Sequence, residues 1–66
     1  MFKYLVKMDI ALFGVDQIVI DSEIVRQIGE RVSITPNAPV TVSDGRGGSV
    51  TLSPGVTIGG VIVSQA

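Results

Sequence analysis

The chain contains no cysteine, no histidine and no tryptophan in its 66 residues. Without cysteine no disulfide can stabilise a small fold, and without cysteine and histidine together the common zinc sites are excluded. The absence of histidine also removes the usual base that would activate a serine nucleophile. The sequence therefore predicts a protein that is not an enzyme and that has no catalytic residues, no metal site and no cofactor.

Charge of either sign is sparse. Five Lys and Arg residues and six Asp and Glu residues give a net charge of −1, and a protein that binds the phosphate backbone needs a basic patch. No apolar run approaches the ~20 residues that span a membrane. We therefore expect neither a nucleic acid nor a membrane nor a small-molecule substrate as partner, and we expect a location in the cytoplasm or in a virion.

What the chain does contain is β-branched apolar surface. It has nineteen valines and isoleucines, and its hydrophobic fraction is 45%. A domain of this size buries only about 60% of the surface that its unfolded chain exposes, so one small core cannot cover all of these side chains. The sequence predicts a single domain over residues 1–66 that associates with copies of itself or with a larger protein assembly.

Residues 2–13 alternate with a period of two, which is typical of a strand with one buried face. Leu5 and Phe13 fall on the second, mixed face and are candidate interface residues. A helix is the competing interpretation, because Met, Leu, Lys and Ala favour helices; the strand is favoured. The even-numbered positions, which we expect to be buried, are all apolar: Phe2, Tyr4, Val6, Met8, Ile10 and Leu12.

The only candidate helix lies near residues 22–28. Asp21 or Ser22 could cap its first turn, and Gly29 could close it in the left-handed conformation. Its apolar residues would be Ile24, Val25 and Ile28. Isoleucine and valine are indifferent helix formers, so a strand–turn–strand arrangement remains open.

A β-hairpin is the clearest local feature in the second half of the chain. The segments 40–42 and 50–52 are symmetric about Arg46, which places Thr41 opposite Thr51 and the apolar residues on the other face. The glycine-rich loop from Ser43 to Ser49 is predicted to be the flexible tip of this hairpin. Arg46 at its centre is a candidate contact residue, because arginine is enriched at protein interfaces.

The C-terminal segment Val61-Ile62-Val63 is apolar on both faces of a strand. Such a continuous apolar run is typical of a strand that is covered on both sides, and a second subunit could supply one cover. The preceding Gly59-Gly60 pair could be a tight hairpin turn or a bend inside a longer strand.

These observations predict a mainly β fold: a small barrel-like or sandwich-like unit of five to six strands, with at most one short helix near residues 22–28 and with edges completed by neighbouring copies. They predict a structural protein of a symmetric homo-oligomer or larger complex, for example a small phage virion component that decorates a capsid head or forms part of a tail. The alternative is a small β-barrel binding module that recognises a protein or a nucleic acid. The predicted interface residues are Leu5, Phe13, Arg46, Val61, Ile62 and Val63.

Overall fold

The computed structural model describes every residue from Met1 to Ala66, and all of its regular elements are strands. A four-stranded antiparallel sheet has the order β2-β1-β6-β3, and a separate antiparallel hairpin joins β4 to β5. The first sheet is open, so the unit is not a closed barrel. The predicted mainly β fold is confirmed. In chain order the strands are β1 (Phe2–Leu12), β2 (Val15–Ser22), β3 (Arg31–Ile34), β4 (Val40–Ser43), β5 (Ser49–Leu52) and β6 (Ile58–Gln65).

The first segment is a strand, as the alternation favoured, but only the middle of its even face is buried. Tyr4, Val6 and Met8 are buried, whereas Phe2 is 38% and Ile10 is 77% exposed. The pairing of β1 with β2 shifts register after Lys7, and such an irregularity bends a strand and increases its twist. The expectation that Phe2 and Ile10 are buried is therefore wrong: Phe2 is the first residue of the strand and lies at the end of the sheet, and the regular alternation does not continue past the shift to Ile10.

No helix forms near residues 22–28. The Ser22 hydroxyl accepts a hydrogen bond from the backbone N–H of Ile24 at 3.2 Å. The same hydroxyl donates a hydrogen bond to the carbonyl oxygen of Ile24 at 2.8 Å. The backbone N–H of Arg26 donates to the Tyr4 hydroxyl at 2.9 Å. Serine side chains that form hydrogen bonds with the nearby backbone compete with helix formation. The Arg26 amide is likewise bonded outside any helix, because its partner is Tyr4 of β1. The strand–turn–strand alternative is the one that the chain adopts.

The last strand occupies the middle of the four-stranded sheet, between β1 and β3. Gly59 and Gly60 lie inside it and form no turn. A Cβ atom on Gly60 would stand 2.6 Å from the carbonyl oxygen of Lys7 and 2.6 Å from a methyl carbon of Val6. Glycine is therefore required at position 60, because the backbone of β1 approaches it too closely for any side chain.

The β4–β5 hairpin has the predicted register, with Val42 opposite Val50 and with Thr41 and Thr51 joined through their hydroxyls at 3.0 Å. Its apolar face packs on the larger sheet and contributes Val50 and Leu52 to the core. The core holds eight apolar side chains from both sheets: Tyr4, Val6, Met8, Ile18, Val50, Leu52, Ile58 and Ile62.

Candidate interaction surfaces

The predicted interface residues lie in different environments. Phe13 is 90% exposed and Val63 is 41% exposed, while Leu5 and Val61 are half-buried. Ile62 is fully buried in the core of the single chain, which leaves no surface of its side chain for a partner. The structure thus brings Val61 and Val63 together on β6 and places Phe13 apart from them.

The predicted contact residue Arg46 is engaged within the chain. Its guanidinium donates to Oδ1 of Asp16 at 2.9 Å and to Oε1 of Gln17 at 3.3 Å. The Gln17 amide in turn donates to the carbonyl oxygen of Asp44 at 3.0 Å. The hydrogen bond from Arg46 lowers the pKa of the Asp16 carboxyl despite partial desolvation, and the positive charges of Arg46 and Lys7 lower it further. These bonds tie the hairpin tip to β2.

A first apolar surface, which we call the turn patch, surrounds the β1–β2 turn. It consists of Ile10, Phe13 and Val56, which are 77%, 90% and 50% exposed. Ile10 and Val56 line one hollow together with Leu12, and Phe13 follows Leu12 directly in the turn. Phe13 and Gly14 form the two-residue connection between the paired residues Leu12 and Val15.

The conformation of Phe13 is unusual for its residue type. Its φ of 51° makes it the one non-glycine residue with a positive φ, in a kind of turn that usually carries Asn, Asp or Gly there. An aromatic residue in this conformation costs about 1–2 kcal/mol. The chain therefore exposes a large apolar ring to solvent in a backbone conformation that lowers local stability. Strain of this kind is commonly found at functional sites, so the turn is a candidate contact site.

A second apolar surface, which we call the connector patch, lies on the irregular segment between β2 and β3. It consists of Ile24, Val25 and Ile28, which are 58%, 69% and 73% exposed. Beside it the Arg26 guanidinium and the Glu30 carboxylate form an ion pair at 2.5 Å. The hydrogen bond from Arg26, followed by one from a backbone amide, lowers the pKa of the Glu30 carboxyl. These two charges thus neutralise each other, whereas the exposed Glu23, which directly precedes the patch, takes part in no ion pair.

A cleft of about 470 Å³ opens between the end of β2 and the strands β3 and β4. Its wall includes the apolar residues Ile20, Val32 and Val42 and the charged residues Asp21 and Arg31. Neither β3 nor β4 makes a backbone hydrogen bond along its outer edge. The cleft therefore combines an apolar wall with unpaired strand edges.

Sequence reasoning missed the connector patch and two of the three residues of the turn patch. It placed Ile24, Val25 and Ile28 on the face of a helix that does not form, and it placed Ile10 in the core. The signal that was available is the apolar cluster at 24–28, which lies next to polar residues and has no strong preference for either regular structure.

The structure contains no group of three or more acidic side chains that could hold a metal ion. No helix in it is long and apolar enough to cross a membrane. Comparisons with models of protein families, with curated proteins and with solved structures found no match to this chain.

Proposed function

We propose that the protein is a structural component of an assembly and that it works by associating with copies of itself. One observation carries the proposal: ten large apolar side chains are exposed, whereas the core contains eight. Six of the exposed ones form the turn patch and the connector patch. Monomeric soluble proteins rarely expose large contiguous apolar patches, and such patches commonly mark protein contacts.

The narrower form of the proposal is a small phage virion protein that decorates a capsid head or forms part of a tail. Its support is compositional: a short β-rich chain without cysteine or histidine suits a rigid packing role. The broader form, self-association of a β unit, has the additional support of the two exposed patches.

The experiment is a measurement of mass in solution by light scattering and by sedimentation velocity, from low to high micromolar concentration. We expect masses that are multiples of the 6.9 kDa chain and that rise with concentration, because burial of the patches stabilises the associated state by mass action. A stably folded species of 6.9 kDa at high micromolar concentration would overturn the proposal.

The cleft favours a second function, that of a binding module for an extended peptide. Unpaired edges of β3 and β4 could pair with an added strand, and apolar residues such as Val32 and Val42 could receive alternate side chains of that strand. The test is a titration of the isotope-labelled protein with a short peptide of alternating threonine and valine. Amide shifts confined to residues 31–34 and 40–43 would support this function, and their absence would count against it.

A further inference from the structure

We infer that two copies of the chain exchange their β4–β5 hairpins, so that the hairpin of each copy covers the sheet of the other. This inference rests on the proposed function, because it specifies the contact through which copies associate. The contact is the one that the hairpin already makes with β1, β2 and β6 inside a single chain. It does not depend on what covers the two exposed patches.

The β3–β6 pair and the β4–β5 hairpin are two parts of one long hairpin. Their register is the same, because six residues on either strand separate the two flanking pairs: Ile34 with Ile58, and Val40 with Leu52. The hydroxyl groups of Thr35 and Thr57 lie 2.8 Å apart, which continues the first pairing by one step. The pairing is therefore interrupted only at a hinge that consists of residues 36–39 and 53–56.

Prolines explain why the pairing breaks at the hinge. In an antiparallel pair, every second residue exchanges hydrogen bonds with the partner strand. Two such bonds of the long hairpin run between even-numbered residues: Asp44 to Gly48, and Ile62 to Glu30. Because the register is constant, the even positions of the hinge should also bond across the pair. Pro36 and Pro54 occupy two of these positions, and proline has no N–H to donate.

The bend in the hinge depends on Gly55. Its φ is 78°, and glycine with a positive φ directly after proline is typical of a tight turn. Its backbone N–H donates to the carbonyl oxygen of Pro36 at 2.9 Å, where a straight ladder would use the N–H of Val56. The prolines of the hinge hold the residues before them extended. A straight hinge is therefore a second conformation that the sequence supports, and it needs no positive φ at residue 55.

The β4–β5 hairpin cannot leave its own sheet without a replacement. Val50 and Leu52 of the hairpin are 6% and 2% exposed, and the other six core side chains belong to β1, β2 and β6. If the hinge straightened in a lone chain, this apolar face of the sheet would lose its only cover. In a pair of copies, the hairpin of the other copy covers the face, and every core contact of the single chain forms again between chains.

The polar contacts of the hairpin tip can form between copies in the same way. The Arg46 guanidinium donates to Oδ1 of Asp16 at 2.9 Å and to Oε1 of Gln17 at 3.3 Å. The ammonium group of Lys7 lies 3.5 Å from Oδ2 of the same aspartate. An exchanged hairpin brings the arginine of one copy to the aspartate of the other. This pairing of opposite charges can be tested with a mixture of variants.

The first test changes the hinge. A Cβ atom at Gly55 would meet no atom within 4 Å, so Gly55→Ala acts only through the positive φ, which disfavours the bent hinge by a factor of about 5–30. A dimer straightens two hinges, so we expect its formation to be favoured by at least ~25-fold. The measurement is sedimentation velocity after refolding from urea, because exchange requires that the chains unfold.

Gly47→Ala is the matched control for the hinge variant. The φ of Gly47 is 89°, and its surroundings are equally open. It lies in the tip of the hairpin, which has the same conformation whether or not the hairpin is exchanged. The strain that alanine adds there is therefore common to monomer and dimer, and the proportion of dimer should equal that of the natural chain.

The second test mixes two variants with reversed charges. Asp16→Arg and Arg46→Asp each bring like charges together where the hairpin tip meets β2. An exchanged dimer with one chain of each kind restores opposite charges at both contacts. An exposed ion pair changes an equilibrium by a factor of about 2–5. After joint refolding, we therefore expect the mixed dimer to be favoured over the mean of the two homodimers by roughly 5–25-fold beyond its statistical proportion.

Isotope labelling of one variant lets native mass spectrometry separate the three dimers. A chain that carries both Asp16→Arg and Arg46→Asp is the control, because it has opposite charges within one copy and should refold like the natural chain. Labelled and unlabelled natural dimers that are mixed without unfolding should exchange chains only at the rate of unfolding. Dimers held by contacts between folded surfaces would exchange chains as soon as those contacts dissociate.

The results that would overturn the inference can be told apart. Equal proportions of dimer for Gly55→Ala and Gly47→Ala, in a chain that does associate, overturn the exchange and leave self-association standing. Mixed dimers at the statistical proportion, or natural dimers that exchange chains faster than they unfold, also overturn the exchange alone. A natural chain that remains monomeric after refolding at high micromolar concentration overturns the proposed function and this inference together.

Discussion

Adding one methyl group at position 60 should destabilise the fold far more than adding it at position 59. Both glycines lie in β6, and neither has a positive φ, so neither is needed for backbone freedom. A Cβ on Gly60 would stand 2.6 Å from the carbonyl oxygen of Lys7, which is backbone and cannot rotate away. A Cβ on Gly59 would stand 2.8 Å from the carboxylate of Asp9, which is the end of a flexible, exposed side chain.

The magnitudes follow from these contacts. Gly60→Ala must move β1 or β6 by several tenths of an ångström, and overpacking of a filled core costs about 1–3 kcal/mol, occasionally more. Gly59→Ala needs only a rotation of Asp9, which loosens the exposed ion pair of Asp9 with Arg31 at a cost of about 0–1 kcal/mol. Replacing glycine by alanine within a strand is itself favourable by about 0.5–1 kcal/mol. We therefore expect a difference of about 1–4 kcal/mol between the variants, which is large against the ~3–10 kcal/mol of a chain this size.

Thermal melts followed by far-ultraviolet circular dichroism measure this difference. For a domain of this size 1 kcal/mol corresponds to a shift of roughly 4–8 °C in Tm, so Gly60→Ala should melt at least ~5 °C below Gly59→Ala. Both proteins must be compared at equal concentration, because association raises the apparent stability. Equal melting temperatures would show that β1 and β6 do not approach each other as the register of Met8 with Gly60 requires.

Two further predictions concern the core and the ion pairs. Ile62→Ala should lower the free energy of unfolding by about 2–5 kcal/mol in urea denaturation, because the side chain is fully buried, whereas Val63→Ala, at a half-exposed neighbour, should change it by less than about 1 kcal/mol. The carboxyls of Asp16 and Glu30 have lowered pKa values in the folded protein. Their contribution to the free energy of unfolding is therefore complete above the pKa values of the unfolded state and is lost as the pH falls below about 4. A series of thermal melts at decreasing pH should show this decline, and Asp16→Asn should make the decline smaller.

The parts of the fold that depend on neighbouring residues were predictable from the sequence. The β4–β5 hairpin has the pairing that the symmetry about Arg46 indicates, because its register is set by the turn and by the residues on either side of it. The alternation of residues 4–8 likewise predicted the buried face of β1. In both cases the side chains that decide the structure lie within the element itself.

The predictions that failed concern parts of the fold that depend on contacts between residues distant in the sequence. The segment 22–28 does not form the predicted helix, partly because the Arg26 amide donates a hydrogen bond to the hydroxyl of Tyr4, which lies 22 positions away in the sequence. Ile10 is exposed because the pairing with β2 shifts register after Lys7. The two apolar patches follow from these two departures, so no periodicity in the sequence could have located them.

The central position of β6 has a consequence for the synthesis of the protein. The β1–β2 hairpin can form as soon as both strands have left the ribosome, but β3 has no neighbour in the sheet until β6 follows it. Until then the side chains of Tyr4, Val6 and Met8 lack the strand that packs beside them. Pairing strands so far apart in the chain is slow, so β1 keeps an unfinished sheet edge until β6 has been made, and chaperones that bind apolar strands have their best opportunity in that interval.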